Sequence, residues 1–204
     1  MSGTAQNIRS TIHLKGSTQI VTEYFGFSIN SILFQRGIYP AEKFQVVNKY
    51  GLQVYVTKDN GLKAYLGQVL TQISEWLMSG AVQKLVLVIS SATTNEVLER
   101  WVFDVETDKE LIASQKPVQK SEKDIQQEIQ AIMRQIAASV TYLPLLNEPC
   151  AFDLLVYADD TIPVPPAWEE SDAKLIAAGG DTVDFKTFST KIHTIRPTVS
   201  YKCV

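Results

Sequence analysis

Two cysteines and two histidines in 204 residues leave little material for metal or thiol chemistry. Cys150 and Cys203 form no CxxC pair and lie in no spacing with histidine that would complete a zinc site. They read as reduced thiols of a cytosolic or nuclear protein. Neither His13 nor His193 has a nucleophile or carboxylate at useful spacing, so both read as structural or surface residues. Charge of one sign is missing too. A net charge of −3 gives no basic footprint for a phosphate backbone, which argues against nucleic acid. Long hydrophobic runs are absent as well. The apolar stretch KLVLVIS over 84–90 is strand-length, against the ~20 residues that span a bilayer. The opening MSGTAQNIRST has no apolar core of the secretory kind, so a soluble intracellular protein is expected, with no membrane role. The GxxxxGK[ST], GxGxxG, HExxH and GxSxG motifs are all missing. The acidic pairs Asp159-Asp160 and Glu169-Glu170 have no further ligand in register and read as solvated acids. Neither an enzyme nor a cofactor or metal protein is expected.

What is present is a good core. Hydrophobic residues make up 45% of the chain and charged residues 20%, a balance too apolar for disorder. Three segments predict helices. The first, 17–37, would be capped by Ser17 and closed by Gly37, with Val21, Phe25, Ile29 and Ile32 on its stripe. The second, 62–80, carries Leu62, Leu66, Val69, Ile73, Trp76 and Leu77 and ends at Gly80. The third, 121–143, begins at Ser121 and runs Ile125, Ile129, Ile132, Ile136 and Val140 down one side. The strands expected are 84–90, buried on both faces; 97–106, joined to it by the turn SATTNE; 151–157; and a β-rich end at 183–195 and 198–204. Arg196-Pro197 reads as the turn between those last two. The fold class is α+β: helices packed on a mainly antiparallel sheet.

Two features ask for more than a core. The third helix presents Gln126, Gln127, Gln130, Arg134 and Gln135, rich in amides and short of Lys/Glu pairs, which suits an interface anchored by Arg134. After the strand at 151–157, the chain passes three prolines, Pro163, Pro165 and Pro166, and then Trp168, which would be awkward in solvent and is expected to dock.

These stretches carry a resemblance. GSTQIVTEYFGFSINSILFQRGIYP is similar to the opening helix of HORMA domains. VQKLVLVISSATTNEVLERWVFDVE, RQIAASVTYLPLL, FDLLVY and PPAWEES resemble the mitotic-arrest-deficient, spindle-checkpoint branch of that family, in order, over about residues 8 to 202. The resemblance implies one HORMA domain over 1–204, with a core at 1–157 and a mobile C-terminal safety belt at 158–204. It also implies a two-state module that captures a short partner peptide by adding it to a sheet edge beneath that belt. The peptide-pairing strand would be Ala151, Phe152, Asp153, Leu154, Leu155, Val156 and Tyr157. The belt would use Trp168, Phe188, Ile192, His193 and Tyr201, and the switch Leu14 and Trp76. Arg134, Gln135 and Tyr142 would form the surface on which an open and a closed copy dimerise. Implied partners are the co-activator of the anaphase-promoting complex, a coiled-coil recruiter at kinetochores, a HORMA-like antagonist and an AAA+ ATPase for recycling. Nucleus, kinetochore and cytoplasm would be the locations. A second member of the family, the adaptor subunit of a translesion DNA polymerase, is the alternative; the Gln/Arg face and ERWVFD favour the checkpoint branch.

Overall fold

The apolar run at 84–90 becomes the middle of a six-stranded antiparallel sheet in the computed structural model of the chain, which describes residues 10–160, 162–177 and 180–203. Its centre is a hairpin of β4 (Val82–Ser91) and β5 (Val97–Thr107), with Leu87 opposite Trp101. β7 (Cys150–Ala158) flanks β4, and β10 (His193–Lys202) flanks β5. Outside β10 lie β8 (Gly180–Asp184) and the two-residue β9 (Phe188–Ser189).

Helices cover one face. α1 (Leu14–Gln35) is the central one, with Val21, Tyr24, Phe25, Ile29, Ile32 and Leu33 fully buried, as expected of a helix apolar on most sides. α2 (Asn60–Met78) packs along α1, and α4 (Glu122–Ala138) sits on its other flank. The glycine stops act as the sequence suggests. Gly37 and Gly80 take φ of +64° and +70°, and the following amides reach back, Ile38 to the Leu33 carbonyl and Ala81 to that of Trp76. Ser121 caps α4 by accepting from the Asp124 amide.

Several elements differ from the sequence reading. α1 starts three residues early, with His13 in the extended N-cap position, because Ser17 is not a cap at all: it is fully buried inside the helix's contact with the C-terminal strands. α2 starts earlier too, since Asp59 supplies the cap by accepting from Leu62 N–H. The third predicted helix stops at Ala138 and passes into one 3₁₀ turn at Ser139–Thr141. A fourth, short helix, α3 (Lys109–Ser114), follows β5, and two small ladders were not anticipated: β2 (Phe44–Lys49) with β3 (Leu52–Thr57), and β1 (Ser10–Ile12) with β6 (Val118–Lys120). Arg196-Pro197 is not a turn but the middle of β10. The proline is tolerated because its carbonyl accepts from Phe185, placing its missing N–H on the side where β8 and β9 are interrupted, away from the β5 ladder.

One ion pair is buried in this frame. Arg36, at the end of α1, meets Glu99 of β5 with Nε–Oε1 at 2.8 Å; the side chains are 4% and 2% exposed. Arg36 also donates to the Pro144 carbonyl, and Glu99 accepts from the Trp101 indole at 3.0 Å. Removing one partner strands the other in low dielectric. Glu99→Ala should therefore lower the unfolding free energy by about 3–5 kcal/mol, read from the midpoint shift in urea at unchanged slope.

Candidate functional site

The alternation of β7 divides its residues between the two faces of the sheet. Phe152, Leu154 and Val156 join the helix-side core, while Leu155 and Tyr157 pack with Val86, Val88 and Val102 on the opposite face. Every residue from Phe152 to Tyr157 is only half-buried, and Ala151 is exposed. The reason is position: β7 is hydrogen-bonded to β4 on one side and, among the described residues, to no strand on the other. The Tyr65 phenol meets the Leu154 amide on that open side. Since N–H and C=O of one strand residue point the same way, Phe152, Leu154 and Val156 present their peptide groups outward.

The chain then loops around this open edge. Past Ala158, Asp159 is tied down: its amide bonds the Ala81 carbonyl, and its carboxylate accepts from Gln83 and Lys109. Those two bonds, Gln83's first, hold its pKa below the ordinary carboxylate value. Trp168 then packs on Trp76 of α2, ring centroids 5.0 Å apart, on the helix face. A few residues later the chain is on the opposite face, where Lys174 pairs with Asp153 at 2.5 Å and the Ala173 carbonyl accepts from Arg100 at 3.3 Å. To pass from one face to the other it must go outside β7. The space enclosed is a channel of about 440 Å³, walled by Leu154–Asp160 on one side and by Val164, Trp168 and Glu169–Asp172 on the other. Asp160, Glu169, Glu170 and Asp172 give its lining a negative bias. A wider groove of about 700 Å³ runs between α1 and α2, remote from this edge.

The far end of the chain is docked across the sheet. β10 pairs with β5 from His193↔Thr107 to Tyr201↔Glu99. Phe188, Ile192, His193, Ile195 and Val199 are buried to 2% or less, and Phe188 lies 4.7 Å from the Tyr24 ring. Of the remaining residues singled out in the sequence, Leu14 is half-buried in the first turn of α1 and Tyr201 half-buried near the end of β10. Arg134 and Tyr142 are exposed, whereas Gln135 is partly committed, accepting from the Lys186 amide at 2.7 Å. Gln130, part of the amide-rich face, is engaged with the Tyr50 carbonyl and is unavailable to an interface. Sequence reasoning missed Lys174, Asp153's partner, and Tyr65 beside Leu154; both lie far in sequence from the strand they meet, and no local pattern marks them.

A family model described as the HORMA domain matches residues 17–193. The chain is 58% identical over 196 residues to the mitotic spindle assembly checkpoint protein MAD2A of Dictyostelium discoideum, covering 95% of each. It is 50% identical to the human protein of that name, covering 94% of this chain and 93% of the other. Among solved structures, one titled "Crystal Structure of Mitotic Checkpoint Complex" contains a chain that superposes with a TM-score of 0.83 at 44% identity, over 92% of this chain and 99% of that one. The DNA polymerase zeta processivity subunit of Schizosaccharomyces pombe is more distant, at 28% identity over 77% of this chain.

The indole pair is the main apolar clamp of the loop around β7. Trp168→Ala should speed amide exchange across 162–177 at least about fivefold, since a packed aromatic pair is worth roughly 1 kcal/mol beyond its area. Amides of β4 and β5 should be unchanged; equal protection in the loop would show that it is held elsewhere.

Proposed function

The chain belongs to the HORMA-domain family, and from that premise we propose that it acts in the spindle assembly checkpoint as a two-state clamp for a short peptide, delaying anaphase. The observation that carries this reading is the unpaired outer edge of β7 enclosed by the 159–172 loop. An extended guest placed there gains main-chain hydrogen bonds from Phe152, Val156 and, once it displaces the Tyr65 phenol, Leu154, and is encircled by the loop. Release then requires the loop to detach, so affinity resides in the off-rate. The channel's acidic lining favours a guest bearing Lys or Arg near that wall.

In this reading residues 1–157 are the scaffold and 158–204 the moving belt. With β10 on β5 and the β7 edge bare, the arrangement corresponds to the closed form. In the open form the C-terminal hairpin would cover β7 instead. Pro163, Pro165 and Pro166 suit the connecting stretch because they cannot donate to a ladder, so the loop does not zip onto the sheet it crosses. Leu14 and Trp76 are the residues we assign to the switch; Trp76 supports this by packing on Trp168 of the tail.

The guests we assign are the motif of the anaphase-promoting-complex co-activator and a like motif in a coiled-coil kinetochore recruiter. The places of action are then the nucleus, kinetochores and cytoplasm. Reopening means pulling Phe188, Ile192, Ile195 and Val199 out of the core, work suited to an AAA+ ATPase with a HORMA-like antagonist as adaptor. Self-association of open and closed copies would use Arg134, Gln135 and Tyr142; Arg134 is exposed, and its guanidinium fork suits such a contact. The polymerase-adaptor reading is the weaker, because the relatives in the checkpoint branch share far more of the sequence.

Leu154→Pro removes one outward donor and places a ring where the guest backbone would lie, while an edge strand tolerates proline. The dissociation constant for a co-activator motif peptide should rise at least about tenfold, or ~1.4 kcal/mol, measured well below the variant's thermal midpoint, which falls because Leu154 packs on the core; unchanged affinity by fluorescence anisotropy would remove edge pairing from the mechanism. Arg134→Ala should leave peptide affinity within about twofold, as a distant site does, yet shift sedimentation toward the monomer. A variant that still dimerises like the parent places the interface elsewhere.

A further inference from the structure

The C-terminal hairpin is held to the core by one continuous polar chain amid apolar packing. Ser17, one turn into α1, lies 2.7 Å from Nδ1 of His193 and 2.5 Å from the Thr190 hydroxyl. On its other side the imidazole Nε2 lies 3.3 Å from the Leu77 carbonyl at the end of α2. Thr190 also accepts from the His193 amide at 3.0 Å. Three elements that are remote in sequence meet here, and Ser17, Thr190 and His193 are all fully buried.

The carbonyl fixes the direction of the chain. Leu77 can only accept, so Nε2 carries the hydrogen and Nδ1 is the acceptor for the Ser17 hydroxyl. Ser17 oxygen is then free to accept from Thr190. This arrangement uses the neutral ring. A second proton at Nδ1 would reverse the hydroxyl bonds and, more costly, would put a full charge where no carboxylate compensates it. Charged side chains on the surrounding elements include Lys15 of α1, the exposed Glu75 of α2, Glu106 of β5, Asp108, Lys120 of β6, Glu128 of α4 and Lys191 of the hairpin itself. Lys15, Glu106, Asp108 and Lys191 are exposed, and Lys120 and Glu128 are bound to each other at 2.7 Å and to the Ser189 backbone. The polar neighbour from β5, Thr107, is directly opposite His193 in the ladder and has no hydrogen-bond partner for its own buried hydroxyl.

We propose that Ser17, Thr190 and His193 are positioning residues of the closed clamp, a proton-sensitive latch that docks β10 on β5 while the imidazole is neutral and lets it go when the imidazole is protonated. Burial, first, lowers the His193 pKa from 6.5 to about 4, with the bond to Leu77 opposing the shift only in part. An undocked hairpin returns the ring to solvent and to its ordinary value. The depressed pKa belongs to the docked state, so docking is fully favoured above about pH 6.5 and weakens as pH falls from there toward about 4. The proposal rests on the capture reading only for its consequence, faster guest release at lower pH.

The test uses the full chain without any peptide, so that a failure of capture and a failure of the latch are told apart. The docked fraction is read from the δ-methyl NMR signal of Ile195 at about pH 6.0 and 8.0, both above the isoelectric point near 5.5. The ratio of docked to undocked hairpin should fall about fourfold at the lower pH. His193→Asn, which keeps an acceptor for Ser17 but does not titrate, should show no such fall; His13→Gln should behave like the parent. No change in the parent, or the same fall in His193→Asn, overturns the latch. If His193→Asn fails to dock, the imidazole of the unaltered chain is titrated directly: in docked molecules His193 should stay neutral down to about pH 6.0. Protonation of the docked His193 ring well above about pH 6.0 overturns the proposal.

Discussion

The outward-facing peptide groups of β7 are the constraint on which the rest of this molecule depends. A β-strand half-buried by its side chains but unpaired along one edge invites any extended segment, including another copy of itself. Here the invitation is narrowed by a loop that passes outside the edge and is pinned on both faces of the sheet, by Trp168 on Trp76 and by Lys174 on Asp153. Edge-to-edge stacking of two sheets is thereby obstructed, while a space of about 440 Å³ remains between the edge and the loop. Selectivity in such a site comes as much from who cannot enter as from what is gained on entry.

The second constraint is that the pinning loop leads into a hairpin that is itself part of the core. Phe188, Ile192, Ile195 and Val199 are all 2% exposed or less, and Phe188 closes an aromatic cluster with Tyr24 and Phe103. Undocking them forfeits on the order of 10 kcal/mol of apolar burial before any new docking site offsets it. The proposed clamp would therefore change state slowly on its own, which would suit a signal that must persist. The Arg36–Glu99 pair and the β4–β5 ladder are built from residues before the tail, although β5 lends its other edge to β10 and Glu99 lies opposite Tyr201.

Much of this was legible from local pattern. The unbroken apolar run at 84–90 marked a strand covered on both faces, and Gly37 and Gly80 marked helix ends that need positive φ. Trp168 was expected to dock because a large aromatic after prolines has no other stable place. What local pattern hid is long-range. Ser17 has the right chemistry for an N-cap, and only the partner 176 residues away explains why it is buried instead. Arg196-Pro197 looks like a turn because proline usually ends strands; it lies mid-strand since the missing amide happens to face the gap between β8 and β9. The β2–β3 hairpin, with Tyr50 and Gly51 at positive φ, was passed over because its strands bury little and so show weak alternation.

These observations bear on why a switching hairpin should carry a buried histidine at all. An apolar underside fixes which face of β10 meets the core, because a one-residue slip would turn Ile195 and Val199 outward. It is less strict against a slip of two, which keeps the same face inward and brings Pro197 to the place of Ile195 or Val199. A hydrogen-bonded chain that joins Thr190 and His193 to Ser17 and to the Leu77 carbonyl has no such tolerance: after a two-residue shift each buried group would lose its partner, at a cost of roughly 1–3 kcal/mol apiece. The polar chain therefore supplies register where hydrophobicity supplies only orientation. If the hairpin leaves and returns as proposed, register is the property that apolar packing would leave more weakly defined.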